Sequence, residues 1–364
     1  MSTTPVTRAT LPPLDNYLEK IREIFSSRSL TNHGRNVQEL EQLLTGFLEA
    51  PYLSLCANGT LALQLALRLL QLNGKPVVTT PFSYVATLSA LLWEGCEPIF
   101  ADIDPRTLCL SPQSVEARLA ERPDAAGVLP VHVYGNACDV AALEDICRRH
   151  GVALLYDAAH AFGCRLHGRG LLSWGDAAAG SFHATKLFHT VEGGCVTCRT
   201  EEAWERLSLL RAFGHRGDDF ICLGINAKMS ELHAAMGLCM LPILPEMLLR
   251  RAELCAAYDA LLDMPRHGLA RPAMHPDLEW NHAYYPVIFP DGASMTRCLA
   301  ALNQEQIYPR RYFHPSLNTL PYVRPVQPCP VSEDMTQRVA CLPLWPDMGM
   351  DTLERVAAIL TATL

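Results

Sequence analysis

The sequence predicts an α/β protein built on a mainly parallel sheet, with a smaller α+β domain after it. Two patterns predict this. Short apolar runs alternate with amphipathic stretches through the first two thirds of the 364 residues, and alternating strand and helix is what a sheet covered on both faces requires. After about residue 240 that alternation stops. Expected domains are therefore 1–243 and 244–364, and a chain of this length is comfortable as two domains.

Strands are expected at 53–56, 77–80, 98–102, 128–133, 152–156, 180–182 and 195–198. Several are apolar throughout, as befits strands buried on both faces. Helical patterns lie between most of them, at 60–72, 83–93, 112–120 and 140–150. Asp139 is placed to cap the last, and Ser111-Pro112 reads as a cap followed by proline at the first helical position. In the second domain we expect a helix at 246–263, a proline-rich passage (Pro265, Pro272, Pro276), a strand at 284–289, a helix at 294–302, a strand at 308–313 and a closing helix at 350–362.

Composition narrows the function. Apolar residues are 49%, charged residues 19% and the net charge −8, so the chain can bury a large core and lacks the basic patch that nucleic-acid binding needs. No run of 18 apolar residues predicts a membrane span, and MSTTPVTRATLPPLD lacks the apolar core of a signal peptide. The 14 cysteines are scattered through apolar segments, which reads as reduced, buried thiols of a cytoplasmic protein. Cys195 and Cys198 have C-x-x-C spacing but lie in a strand pattern without a second ligand pair, so no metal is expected.

Ligands of an open parallel sheet bind beyond the carboxyl ends of its strands. There, C-A-N-G-T-L-A-L turns from strand to helix. Gly59 lets the backbone approach a ligand, and the helix start favours a phosphate beside Thr60. Read alone, the stretch is equally a plain capped turn. In T-T-P-F-S-Y-V-A-T, Tyr84 is either a core aromatic or a ring that stacks on a planar ligand. In L-L-Y-D-A-A-H-A-F-G, Asp157 ends an apolar strand and needs a partner such as a protonated pyridine nitrogen, or else caps the next segment. His160 is either a core histidine or a contact to a ring substituent. In S-F-H-A-T-K, Lys186 is an ordinary surface cation or a partly buried nucleophilic amine, with Ser181 placed for a phosphate. Together they supply a phosphate cup, a stacking ring, a carboxylate and an amine, the set that pyridoxal phosphate asks for.

The same stretches, with P-I-F-A-D-I-D-P, P-V-H-V-Y-G, E-G-G and G-I-N-A-K-M-S-E-L-H-A-A-M-G-L, occur in an order that resembles the DegT/StrS family of pyridoxal-phosphate-dependent nucleotide-sugar aminotransferases. The resemblance runs from about Leu30 to the C-terminus. It implies a fold-type-I aminotransferase with a seven-stranded mixed sheet, and a homodimer with shared active sites. By position it makes Lys186 the Schiff-base lysine and Asp157 the partner of the pyridine nitrogen. It places His160, where many relatives carry glutamine, at the ring hydroxyl. Gly59, Thr60 and Ser181 would hold the phosphate, Tyr84 would stack on the ring, and Asn226 would arrive from the neighbouring subunit. Lys228 and His314 are candidate sugar contacts. N-G-T replaces the usual S-G-T, and His183 stands where tyrosine is common, which we read as structural.

Within the family the chain is similar to transaminases that convert dTDP-4-keto-6-deoxyglucose to the 4-amino-4,6-dideoxy sugar, with glutamate as expected donor and deoxysugar supply for glycans such as O-antigen as expected role. Competing readings are a 3-keto sugar aminotransferase, a related dehydratase, which Lys186 argues against because such relatives carry histidine there, and a non-enzymatic sugar-nucleotide sensor.

Overall fold

A computed structural model describes residues 3–364; the first two residues of the expected first domain lie outside the described residues. Seven strands form the main sheet: β1 (Tyr52–Cys56), β2 (Pro76–Thr79), β3 (Glu97–Phe100), β4 (Gly127–Leu129), β5 (Ala153–Asp157), β6 (Ala177–Ser181) and β7 (Gly194–Cys198). Their spatial order is β1-β7-β6-β5-β4-β2-β3. From β6 to β3 the neighbours run parallel. β7 is antiparallel to both its neighbours, with Gly194 opposite Cys56 on one side and Ser181 on the other.

The seven expected strands are the seven of this sheet, with bounds that differ by at most four residues. The largest change is at 128–133. The strand ends at Leu129 because Pro130 follows, and 133–135 turns into a short 3-10 segment in which Tyr134 has φ 57°. The strands are apolar because helices cover both faces. Helix α1 (Gly59–Leu69) sends Leu63, Ala66 and Leu67 into one buried cluster with Val77, Leu155 and Val196. Helices Pro112–Glu121 and Val140–His150 pack Val115, Leu119, Leu143 and Ile146 into the cluster on the other side. Their caps form as expected: the Ser111 hydroxyl accepts from the Ser114 N–H at 3.3 Å and the Asp139 carboxylate from the Ala142 N–H at 3.0 Å. The helix expected at 83–93 starts two residues late, as α2 (Val85–Trp93), and leaves Ser83 and Tyr84 in the turn above β2.

Helices Leu14–Ser27, Arg35–Phe47, Glu201–Leu210, Glu231–Met240 and Pro330–Arg338 went unpredicted. Arg35–Phe47 shows why. Its apolar stripe is interrupted by Glu41, which is buried yet satisfied by His33, Arg211 and the Leu55 N–H. A carboxylate reads as surface in a pattern, while its partners are 8 to 170 residues away.

The second part has its own core. Helix α3 (Leu244–Leu262), helix Gly292–Gln304 and helix Met350–Thr363 surround an antiparallel pair, Tyr285–Ile288 with Val339–Leu342. Tyr258, Tyr285, Val287, Cys298, Val356 and Leu360 fill the space between. The expected strand at 308–313 is a correction. Only Ile307–Tyr308 is strand, paired in parallel with Thr4–Pro5 near the chain start. Pro309 lacks the N–H to continue a ladder, so Arg310 makes one isolated bridge to Cys341 and the chain turns away. Helix α3 joins the two cores: Leu244 and Met247 pack in the first, Leu254 and Leu262 in the second.

The run Glu231–Leu262 is long and apolar enough for a membrane span, but half of its most apolar window is buried inside the protein. It also carries Glu231, whose carboxylate accepts the Asn36 and Val37 N–H groups, so it is core architecture here. All 14 cysteines are unbridged, and every one but Cys222 is buried.

Candidate active site

The carboxyl ends of β1, β2, β5 and β6 open on a cavity of about 700 Å³. Lys186, Asp157, Gly59, Thr60, Tyr84, His160 and Ser181 all line it. Residues separated by more than 120 positions in the chain thus share one chamber because parallel strands deliver their ends to one edge.

Asp157 ends β5, where the backbone is tied on both sides. Its N–H donates to the Pro130 carbonyl at 2.9 Å and its carbonyl accepts the His132 N–H at 3.0 Å. The carboxylate accepts from the Thr87 hydroxyl at 2.7 Å and the Ala159 N–H at 3.1 Å. Asp157 is 5% exposed, and burial raises its pKa above the usual carboxylate range despite these bonds and the nearby Lys186. Such a group is stabilised in its ionised form by a cation placed against it.

His160 follows in the same turn. Its Nδ1 accepts the Tyr134 N–H at 3.2 Å. A backbone N–H can only donate, so Nδ1 is bare and the neutral ring carries its hydrogen on Nε2. Burial, then Lys186, pushes the His160 pKa well below the ordinary value, which keeps the ring neutral.

Lys186 sits in loop 182–193 between β6 and β7. Phe182 and Phe188 are fully buried on either side of it. Phe188 stacks on Phe162 at 4.4 Å and meets Phe182 edge-on at 5.2 Å. Each such ring contributes roughly 1.5–3 kcal/mol on burial, and together they pin both shoulders of the lysine. Desolvation lowers the Lys186 pKa to about 8, opposed by Asp157. The amine is therefore half uncharged near pH 8 rather than above pH 10, which makes the free base a nucleophile or proton acceptor needs far more accessible. Its Nζ donates to the Tyr284 hydroxyl at 3.4 Å.

The turn after β1 is equally constrained. A Cβ on Gly59 would stand 2.7 Å from the Ser181 Cβ, and one on Gly194 would stand 2.7 Å from the Asn58 carbonyl. Asn58 caps α1, its side chain accepting the Leu61 N–H at 2.9 Å. The first N–H groups of the helix have no intrahelical acceptor, and with the Thr60 and Ser181 hydroxyls they make a cradle for a phosphate.

Three expected contacts lie elsewhere. Asn226 is exposed and Lys228 holds its ammonium 4.9 Å from the Phe213 ring centre; the Ala227 carbonyl between them accepts the Ala57 N–H at 2.8 Å, beside the phosphate turn. His314 is exposed and bonds Arg311 at 2.9 Å. His183 lines the cavity rim but spends Nδ1 within its own loop, on Thr185. Sequence reasoning missed Thr87, Tyr284, Arg310, Tyr312 and Phe313, all in the cavity wall. Thr87 was legible, since it closes the T-P-F-S-Y-V-A-T stretch. The other four carried no signal beyond ordinary core or surface types.

The residues present fit pyridoxal phosphate: a phosphate cradle, a buried carboxylate lacking a full counter-charge, a neutral N–H donor and a low-pKa amine in one chamber. Fold and site together define a fold-type-I, pyridoxal-phosphate-dependent transaminase. The chain belongs to the DegT/DnrJ/EryC1/StrS aminotransferase family, whose profile matches residues 15–361. It is 35% identical over 360 residues to dTDP-4-amino-4,6-dideoxy-D-glucose transaminase of Shigella dysenteriae, covering 97% of each chain. It is 30% identical over 378 residues to the Escherichia coli protein of that name, covering 98% of each. Among solved structures, DesI, determined in the presence of its TDP-sugar product, has 33% identity and a TM-score of 0.90 over 100% of this chain and 93% of that one.

Proposed function

We propose that this transaminase takes the amino group of glutamate and places it on C4 of dTDP-4-keto-6-deoxyglucose, giving dTDP-4-amino-4,6-dideoxyglucose. The observation that carries the reading is the chamber holding the Lys186 amine and the Asp157 carboxylate, taken with two relatives of that activity aligned end to end.

Bound there, pyridoxal phosphate supplies an aldehyde to receive the amino group and a ring to draw electron density from the substrate carbon. Asp157 would keep a proton on the pyridine nitrogen, and His160 would offer its Nε2 hydrogen to the ring hydroxyl. Gly59, Thr60 and Ser181 would hold the phosphate, with Tyr84 beside the ring. Lys186 would anchor the cofactor through Nζ, and the free amine would carry a proton to and from the substrate carbon.

We further propose a homodimer. Phe213, Phe220, Ile221 and Leu223 are exposed on the hairpin segment just before Asn226. A patch of this kind marks a docking face, and a second copy there carries Asn226 to the partner's phosphate. Lys228 and His314 are assigned to the sugar side, the domains to 1–243 and 244–364, the compartment to the cytoplasm, the pathway to glycans such as O-antigen, and the reaction to one without metal.

The test is incubation with glutamate and a panel of 3-keto and 4-keto dTDP and UDP sugars, with products identified by NMR. The 4-amino-4,6-dideoxyglucose nucleotide is expected. Amination of a 3-keto sugar alone overturns the substrate assignment, and protein that stays colourless with added pyridoxal phosphate overturns the enzyme reading.

A further inference from the structure

Beyond these assignments, the geometry points to Tyr284 as the positioning residue for the Lys186 amine, a contact made across the two parts of the chain. The proposal rests on the reading of Lys186 given above. Tyr284 immediately precedes the strand Tyr285–Ile288 of the second part, and its hydroxyl lies 3.4 Å from Lys186 Nζ. Its ring is held against His160, centres 4.5 Å apart, and edge-on to Tyr312 at 5.7 Å. The backbone beneath is fixed as well: the Asn281 side chain donates to the His160 and Phe162 carbonyls and accepts the Ala283 N–H at 3.0 Å. So the phenol is locked to the same turn that presents His160.

The charged and titratable groups that line the cavity with Lys186 come from four directions. Asp157 and His160 lie on the β5 side, Tyr84 on the turn above β2, His183 and Glu192 on the lysine's own loop, and Tyr284, Tyr312 and Arg310 on the wall from the second part. Of these, Tyr284 is the one that makes a hydrogen bond to the amine among the described residues. Burial raises the Tyr284 pKa well above its ordinary value, so the phenol keeps its proton through the working range and serves as a fixed neutral partner, never as a base. When substrate frees the amine from the cofactor, Tyr284 holds Nζ inside the chamber rather than letting a flexible four-carbon stem swing it away. The effect is on orientation, which acts on the rate of proton transfer rather than on binding.

Hydrogen bonds to an ion are stronger than those to the neutral form, so the phenol also favours the ammonium. Removing it lowers the amine pKa further from its present value of about 8.

The experiment reads the amine itself. Cofactor-free protein is acetylated with an N-hydroxysuccinimide ester across pH 6–10, and Lys186 modification is followed by peptide mass spectrometry. Tyr284→Phe is expected to move the inflection down by about half a pH unit. Reloaded with pyridoxal phosphate, it is expected to lose roughly fivefold or more in kcat, with KM for glutamate within about twofold. Tyr312→Phe, the neighbouring phenol, serves as the control and leaves the inflection in place. Tyr284→Leu is read the same way if the phenylalanine variant does not fold. An unmoved inflection in the folded variant overturns the proposal. Borohydride reduction of the loaded wild type, with mapping of the cofactor mass, separates the two readings. Mass on a residue other than Lys186 defeats the site assignment, whereas mass on Lys186 with an unmoved inflection defeats only the role of Tyr284.

Discussion

The floor and the wall of the cavity are built differently. The floor is Asp157, His160, Ser181 and Lys186, all from β5, β6 and the turns that follow them. Two of its side chains are fixed by backbone N–H groups, His160 by Tyr134 and Asp157 by Ala159. The wall is Tyr284, Arg310, Tyr312 and Phe313, from the chain beyond residue 280. It is held by stacked rings: Phe313 lies parallel to Tyr134 at 5.8 Å and to His160 at 5.6 Å. Hydrogen bonds to a rigid sheet fix charge and proton position, whereas stacked rings fix shape and slide more readily. The difference teaches that the floor holds the polar groups proposed for the chemistry while the wall shapes the chamber, with Tyr284 the wall residue that reaches across to the Lys186 amine.

That division is open to attack by substitution. Lys186→Ala is expected to cut multiple-turnover transamination by at least ~1,000-fold, since anchor and proton carrier are lost together; near-wild-type turnover in a steady-state assay would remove the chemistry from the floor. Asp157→Asn should lower kcat on the order of 100-fold by uncoupling the ring nitrogen from its counter-charge, while absorbance shows the cofactor still bound. Gly59→Ala forces a methyl to within 2.7 Å of the Ser181 Cβ. Titration with pyridoxal phosphate should then show affinity reduced by roughly tenfold, because the cradle's charge-assisted bonds lengthen. The wall gives the smallest effect. Arg310 is exposed and rests 4.9 Å from the Tyr312 ring centre. Arg310→Gln should raise KM for one anionic substrate by about fivefold with kcat held within about twofold. A large kcat loss there would erase the distinction between floor and wall.

The same division explains what could be read beforehand. The sheet was legible because strands buried on both faces are apolar throughout, as at Val77 and Val78, both fully buried. The floor was legible because its residues break that pattern at strand ends: a carboxylate closing L-L-Y-D, a lysine among small and aromatic residues. The wall was not, because Tyr284, Tyr312 and Phe313 are the residue types that fill any core, and nothing local says that this core has a chamber beside it. Tyr308 to Phe313 even reads as a strand, and only the missing N–H of Pro309 turns it into cavity lining. Asn226, Lys228 and His314 lie outside the cavity lining, and no local pattern in their stretches says so.

β7 runs against its neighbours, and that reversal has a consequence for how the molecule can change. Every parallel connection in the sheet must carry the chain from one edge to the other. The connection from Ser181 to Gly194 starts and finishes on the same edge, since those two residues face each other across the ladder. Residues can be added to or removed from it without re-threading a strand or displacing a crossover. Lys186 therefore rides on a connection that leaves and re-enters the sheet at one end, so its length can change while the sheet is inherited intact.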